Sequence, residues 1–214
     1  MTDAPLRPLL LRLDSSARTD GSHSRQLADQ IEAHWRARHP DGRVQRRDLV
    51  TEAPPHIDAQ TIAGFYTPPE QLSPALREAT ARSDALIAEL KAATTLLIAS
   101  PMYNFSVPSS LKAWIDQVVR VGHTFTLEGG RPQGLVERPS AVLALTYGLP
   151  GYGDQLATLD HLLPYLQSVL GFIGITDVQV VSTEGTAADP ALLAGIPAAA
   201  RERIDTLFGE PVTT

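Results

Sequence analysis

The sequence predicts an α/β fold, an open parallel sheet with helices on both faces. Three observations predict it. Five short strand-like runs, Leu9 to Leu13, Val44 to Leu49, Thr95 to Ala99, Ala141 to Thr146 and Val178 to Ser182, are bounded by turn residues. Helical patterns lie between them, and such alternation implies a sheet whose crossovers are helices. The third and fourth runs are apolar almost throughout, as strands buried on both faces are.

Taken in order, the first run leads into a helix whose Leu27, Ile31 and Trp35 repeat at i, i+4 and i+8. After the second run, residues 51–75 are rich in Pro and read as a long surface excursion before a helix around Ser83 to Leu90. The third run ends in "SPMYNFSVPSS", and Pro108 falls at the first turn of the next helix, where its missing N–H costs nothing. Leu111, Trp114, Ile115, Val118 and Val119 form that helix's apolar face. "HTFTLEGGRPQGLVERPS" reads as a hairpin-like insertion turning at Gly129-Gly130. Beyond the fourth run, Leu156, Leu159, Leu163, Leu166 and Leu170 share a face, but Pro164 requires that helix to kink or start late. The final stretch, "DPALLAGIPAAARERIDTLF", is helical in pattern and interrupted by Gly195 and Pro197. No repeat or linker divides the chain, so residues 1–214 read as one domain.

Composition narrows the function. A formal net charge of -6 argues against a nucleic-acid partner. The nearest basic cluster, Arg36, Arg38, Arg43, Arg46 and Arg47, is interrupted by Asp41 and Asp48 and reads as a solvated face. There is no cysteine, which removes disulfides, thiolate metal sites and thiol nucleophiles. The start has no signal-peptide pattern, and no run reaches the roughly 18 apolar residues of a membrane span. A soluble, cytoplasmic protein is therefore expected. The six histidines show no metal-binding spacing, no G-x-S-x-G elbow occurs, and no catalytic acid or base is assigned.

In a sheet of this kind ligands bind outside the carboxyl ends of the strands. "DSSARTDGSHSRQL" places Ser15, Ser16, Ser22 and Ser24 there, with Gly21 for a tight turn. Hydroxyls and free N–H groups at a helix N-terminus suit a phosphate, although Ser22 or Ser24 capping the helix explains the same residues. The dinucleotide and P-loop fingerprints are absent, so flavin mononucleotide fits better. "PMYNF" supplies a bed for its ring. Met102 and Tyr103 lie beside it, Asn104 bonds ring or ribityl groups and Phe105 closes an edge. Plugs beneath the next helix are the other reading of these side chains. "LTYGLPGYGD" offers Thr146, Tyr147 and Gly148 as backbone donors, or merely supplies turn glycines.

With these residues the chain resembles the FMN-dependent NADH-azoreductase family of flavodoxin-like quinone reductases. The most similar stretches are "SPMYNFSVPSSLKAWID", "VGHTFTLEGGRPQGLVE" and "PYLQSVLGFIGITDV", together with the Ser-x-Ser element in "SHS". The resemblance implies strand order 2-1-3-4-5 and a homodimer that passes electrons from NADH through FMN to quinones and azo compounds. It implies phosphate contacts from Ser16, Ser22, His23 and Ser24, and ring contacts from Met102, Tyr103, Asn104 and Phe105. Two departures, Leu149 in "TYGL" and Leu127 on the hairpin, border the substrate side of the flavin. The resemblance also implies that Phe172 reaches the partner's flavin, whereas the residues alone read it as core. A quinone reductase without azo activity, or a non-catalytic FMN electron carrier, are the alternative functions.

Overall fold

The structure, a computed structural model, describes residues 7–187 and 197–209. The first strand, β1 (Leu9–Asp14), is followed by α1 (His23–Arg38) and β2 (Arg43–Asp48). Then come α2 (Ala59–Tyr66), α3 (Pro74–Ala92), β3 (Thr95–Pro101) and α4 (Ser109–Val118). A hairpin of β4 (Phe125–Glu128) and β5 (Arg131–Gly134) precedes β6 (Ser140–Thr146), α5 (Leu163–Ile173), β7 (Val178–Thr183) and α6 (Ala198–Phe208).

Five strands pair in parallel in the order β2-β1-β3-β6-β7, and the hairpin forms a separate antiparallel pair. The expected numbering 2-1-3-4-5 changes because the hairpin strands take the fourth and fifth places in the chain. One apolar cluster packs α3, α4 and α5 on one face of the sheet, around Leu86, Trp114 and Leu166. A second packs α1 and α6 on the other, around Leu27, Trp35 and Ile204. β3 and β6 lie between both clusters, which is why their sequences are continuously apolar.

Several expectations need correction. The excursion at residues 51–75 contains α2 and a short 3₁₀ turn at Pro69–Gln71, and α3 begins at Pro74 rather than near Ser83. Asp58 caps α2 by accepting from the Thr61 backbone N–H at 2.8 Å and its hydroxyl at 2.9 Å. Gly64 then lets α2 approach α3 closely, since a Cβ there would stand 2.5 Å from the Thr80 methyl. Pro108 is the N-cap, one residue before α4 begins. Pro164 makes α5 start late, and Asp160 accepts from the Leu162 and Leu163 N–H groups at that start. Residues 188–196, including Gly195, lie outside the described residues.

The basic cluster is exposed as expected, apart from buried Arg47, and three of its five arginines are also ion-paired. Glu32, nearly buried, receives Arg12, Arg36 and Arg46, and Arg47 pairs with Glu52 and Glu89. Removing one partner from such a group would leave a charge with little water around it. Among the described residues no helix is long and apolar enough to cross a membrane, and no cluster of metal-binding side chains occurs.

Candidate functional site

Parallel pairing brings the carboxyl ends of β1, β3, β6 and β7 to one edge, and the loops that leave them enclose a cavity of about 220 Å³. Its wall comprises Ser16, Arg18, Ser22 and His23 from the β1–α1 loop and the start of α1, Pro101, Met102 and Tyr103 from the end of β3, Thr146 and Gly148 after β6, and Thr186 and Ala187 after β7. Seven of the site residues expected from sequence thus meet there. Ser24, Asn104, Phe105, Tyr147 and Leu149 lie outside the wall.

The β1–α1 end is polar and locally organised. Ser22 is the N-cap of α1, and its hydroxyl lies 3.2 Å from that of Ser24. Ser16 Oγ accepts from the Arg18 N–H at 3.2 Å. His23 Nε2 is buried and makes no hydrogen bond among the described residues. Burial, helped by the positive charge of Arg18, pushes the His23 imidazole below its ordinary pKa, so the neutral ring is favoured near neutral pH. The α1 N-terminus, two hydroxyls on the wall and an unpaired ring nitrogen form a set of groups suited to an anion.

A less polar part of the wall, Pro101, Met102 and Tyr103, leads into the "PMYNF" turn. Tyr103 and Ser106 exchange backbone hydrogen bonds at 3.0 and 3.1 Å, closing a two-residue turn over Asn104 and Phe105. Both central residues have left-handed φ angles, 48° and 72°. Asn and Gly are the usual occupants of such a turn. Phe there costs about 1–2 kcal/mol through the contact between Cβ and the following carbonyl. The turn is held from outside: His161 N–H donates to the Phe105 carbonyl at 2.9 Å, and the Ser106 hydroxyl donates to the His161 carbonyl at 3.2 Å. Met102 is part-buried against the core, whereas Tyr103 is 38% and Phe105 47% exposed. The plug reading therefore suits Met102 and fails for Phe105.

The third loop also differs from expectation. The Tyr147 N–H is committed to the Thr183 carbonyl at 2.9 Å, so it is not a free donor. Its ring is buried and its hydroxyl donates to Asp160; burial foremost, then the Asp160 charge, raises its pKa well above the ordinary value and keeps it protonated. Glu184 fills the glycine turn by accepting the N–H groups of Gly151, Tyr152 and Gly153. Leu149 stands 55% exposed beyond this turn.

The hairpin sits beside α5, where a Cβ on Gly134 would fall 2.2 Å from the Gly174 nitrogen, so only glycine permits this approach. Gly129 and Gly130, with φ of 59° and 79°, make the tight turn between its strands. Phe172 is not core: it is 38% exposed, and its ring packs on Phe125 of the hairpin, centroids 4.6 Å apart. Leu127 is 58% exposed on the same hairpin. Sequence reasoning missed Arg18, Pro101, Thr186 and Ala187. Arg18 is two residues from Ser16 and was legible there, whereas the residues after β7 reach the site only through strand order.

A family described as having a flavodoxin-like fold matches residues 9–207. An FMN-dependent NADH:quinone oxidoreductase of Xanthobacter autotrophicus is 55% identical over 173 residues, covering 80% of this chain and 83% of that protein. A protein of the same name from Acidobacterium capsulatum is 47% identical over 178 residues, 83% of this chain and 86% of that one. Among solved structures, an azoreductase from Bacillus anthracis superposes with a TM-score of 0.85 at 23% identity, covering 94% of this chain and 99% of that chain. An FMN-dependent NADH-azoreductase of the same species, in complex with FMN, gives 0.81 at 21% identity, with 93% and 97% covered.

Proposed function

The chain belongs to the flavodoxin-like family that includes the FMN-dependent NADH:quinone oxidoreductases, and we propose that it is a cytoplasmic enzyme of that activity, reducing quinones and azo compounds. The observation that carries this reading is the two-sided cavity, with anion-binding groups at the start of α1 and a less polar wall after β3. Bound FMN would supply the redox chemistry, accepting a hydride from NADH and passing two electrons to the acceptor.

The protein's own part is position and polarity. Ser16, Ser22 and His23 would hold the phosphate, with Ser24 supporting Ser22 through their shared hydrogen bond. Met102 and Tyr103 would flank the ring on one side, and Thr146 and Gly148 would border it on another. Asn104 and Phe105 would act from the rim, where the strained turn holds them. Leu149 would sit at the acceptor's side.

The cavity is smaller than the roughly 300–1,000 Å³ of pockets that enclose a ligand, so a molecule of FMN's size would extend past its mouth. We assign the cover to a second copy of the chain, a homodimer that brings Phe172 and Leu127 of one protomer over the partner's site. Only one opening then serves donor and acceptor. Both are planar and seek the same ring face, so NADH must leave before the quinone enters. Initial rates at several fixed quinone concentrations should give parallel double-reciprocal lines, with excess quinone competing against NADH. Intersecting lines would mean that both bind at once, and the shared opening would be wrong.

A further inference from the structure

Among the described residues that line the cavity, Arg18 is the only permanently charged side chain, and none is acidic. Its guanidinium is exposed and has no partner among the described residues, although its own N–H is tied to Ser16. The neighbouring arginines are all engaged. Arg25 donates to Asp48 at 2.7 and 3.0 Å and to the Ser16 carbonyl at 3.0 Å. Arg12 is divided among Asp14, Asp29 and Glu32. Asp20 shares the Arg18 loop but does not line the cavity. His23 is neutral by preference and brings a hydrogen-bonding nitrogen rather than a charge. In a chain of formal net charge -6, the described residues of this site therefore offer a single free cation for an incoming dianion.

We propose that Arg18 is a specificity-determining residue, pairing with the phosphate of the flavin at the start of α1 and so selecting FMN over riboflavin. The proposal rests on the FMN reading above. An ion pair at an exposed position is screened by salt, so selectivity should fall as ionic strength rises. A charge pair also survives replacement by lysine better than a bidentate fork would.

The test is fluorescence-quenching titration of the parent, Arg18→Gln and Arg18→Lys with FMN and with riboflavin, each at low and high salt. Arg18→Gln should weaken FMN about tenfold at low salt, in line with a lost bond to a charged group. It should also flatten the salt dependence and leave riboflavin affinity unchanged, while Arg18→Lys retains most of the FMN affinity. FMN affinity unchanged in Arg18→Gln would overturn the proposal while leaving the FMN reading intact. Equal losses for FMN and riboflavin would overturn it too, by showing that Arg18 merely shapes the loop. A parent protein that binds no FMN would remove the reading itself and the proposal with it.

Discussion

The two ends of the cavity are built by opposite means. At the β1–α1 end, small polar side chains are organised by the chain's own hydrogen bonds: Ser22 caps α1 and touches Ser24, and Ser16 receives the Arg18 N–H. At the β3 end, a turn that would suit Asn-Gly carries Asn104-Phe105 at positive φ, with Tyr103 and Phe105 facing solvent. The polar end is complete within one chain. The apolar end holds strain and uncovered hydrophobic surface, features that cluster at binding sites. The proposed cofactor would account for the first, and the proposed second copy of the chain would account for the surface further out on Leu127 and Phe172.

The largest effect should come from the polar end. Replacing Ser22 and Ser24 together by Ala should weaken FMN binding by about 1.5–3 kcal/mol, the loss expected for the one bond to a charged group that Ser22 would make with Ser24 behind it. Riboflavin should lose far less, and comparing the two ligands by titration separates phosphate binding from general damage. Loss of the N-cap alone would lower thermal stability by about 1 kcal/mol and spare the FMN-to-riboflavin ratio. An unchanged ratio would reduce the loop to a helix cap.

A smaller effect is expected at the outer apolar surface. Phe172→Ala should change turnover or acceptor preference more than FMN content, because the residue would act across the dimer. Sedimentation should give a dimer at micromolar concentration. A fully active monomer would contradict the shared site and leave Phe172 as a partner of Phe125 alone.

The smallest effect sharpens the contrast between the ends. Phe105→Gly removes the Cβ that the left-handed turn disfavours, so the ligand-free protein should be as stable as the parent or more stable by up to about 1 kcal/mol. FMN affinity should fall in the same variant. Denaturant unfolding checks the first and titration the second. A large loss of stability would mean that Phe105 is a plug after all.

This contrast also marks how much the sequence revealed. The parallel sheet was legible because continuously apolar runs such as Thr95 to Ala99 have few other uses, and the hairpin was legible from Gly129-Gly130. The polar α1 loop was legible because its signal is local: hydroxyls beside a helix start. α2 was hidden because its evidence is one cap, Asp58 to Thr61, within a Pro-rich stretch. The positive φ of Phe105 was hidden because nothing in its residue type suggests it. The commitment of the Tyr147 N–H to Thr183 was hidden because that pairing exists only once β7 lies beside β6.

Every effect above follows from the proposal that this cavity holds a flavin that takes electrons from NADH. The direct measurement is visible absorbance of the FMN-loaded protein in a sealed, oxygen-free cuvette. Adding NADH should bleach the flavin bands within the time of a turnover, and adding a quinone should then restore them. Bands that persist under excess NADH would contradict the claim and leave an FMN-binding carrier in its place.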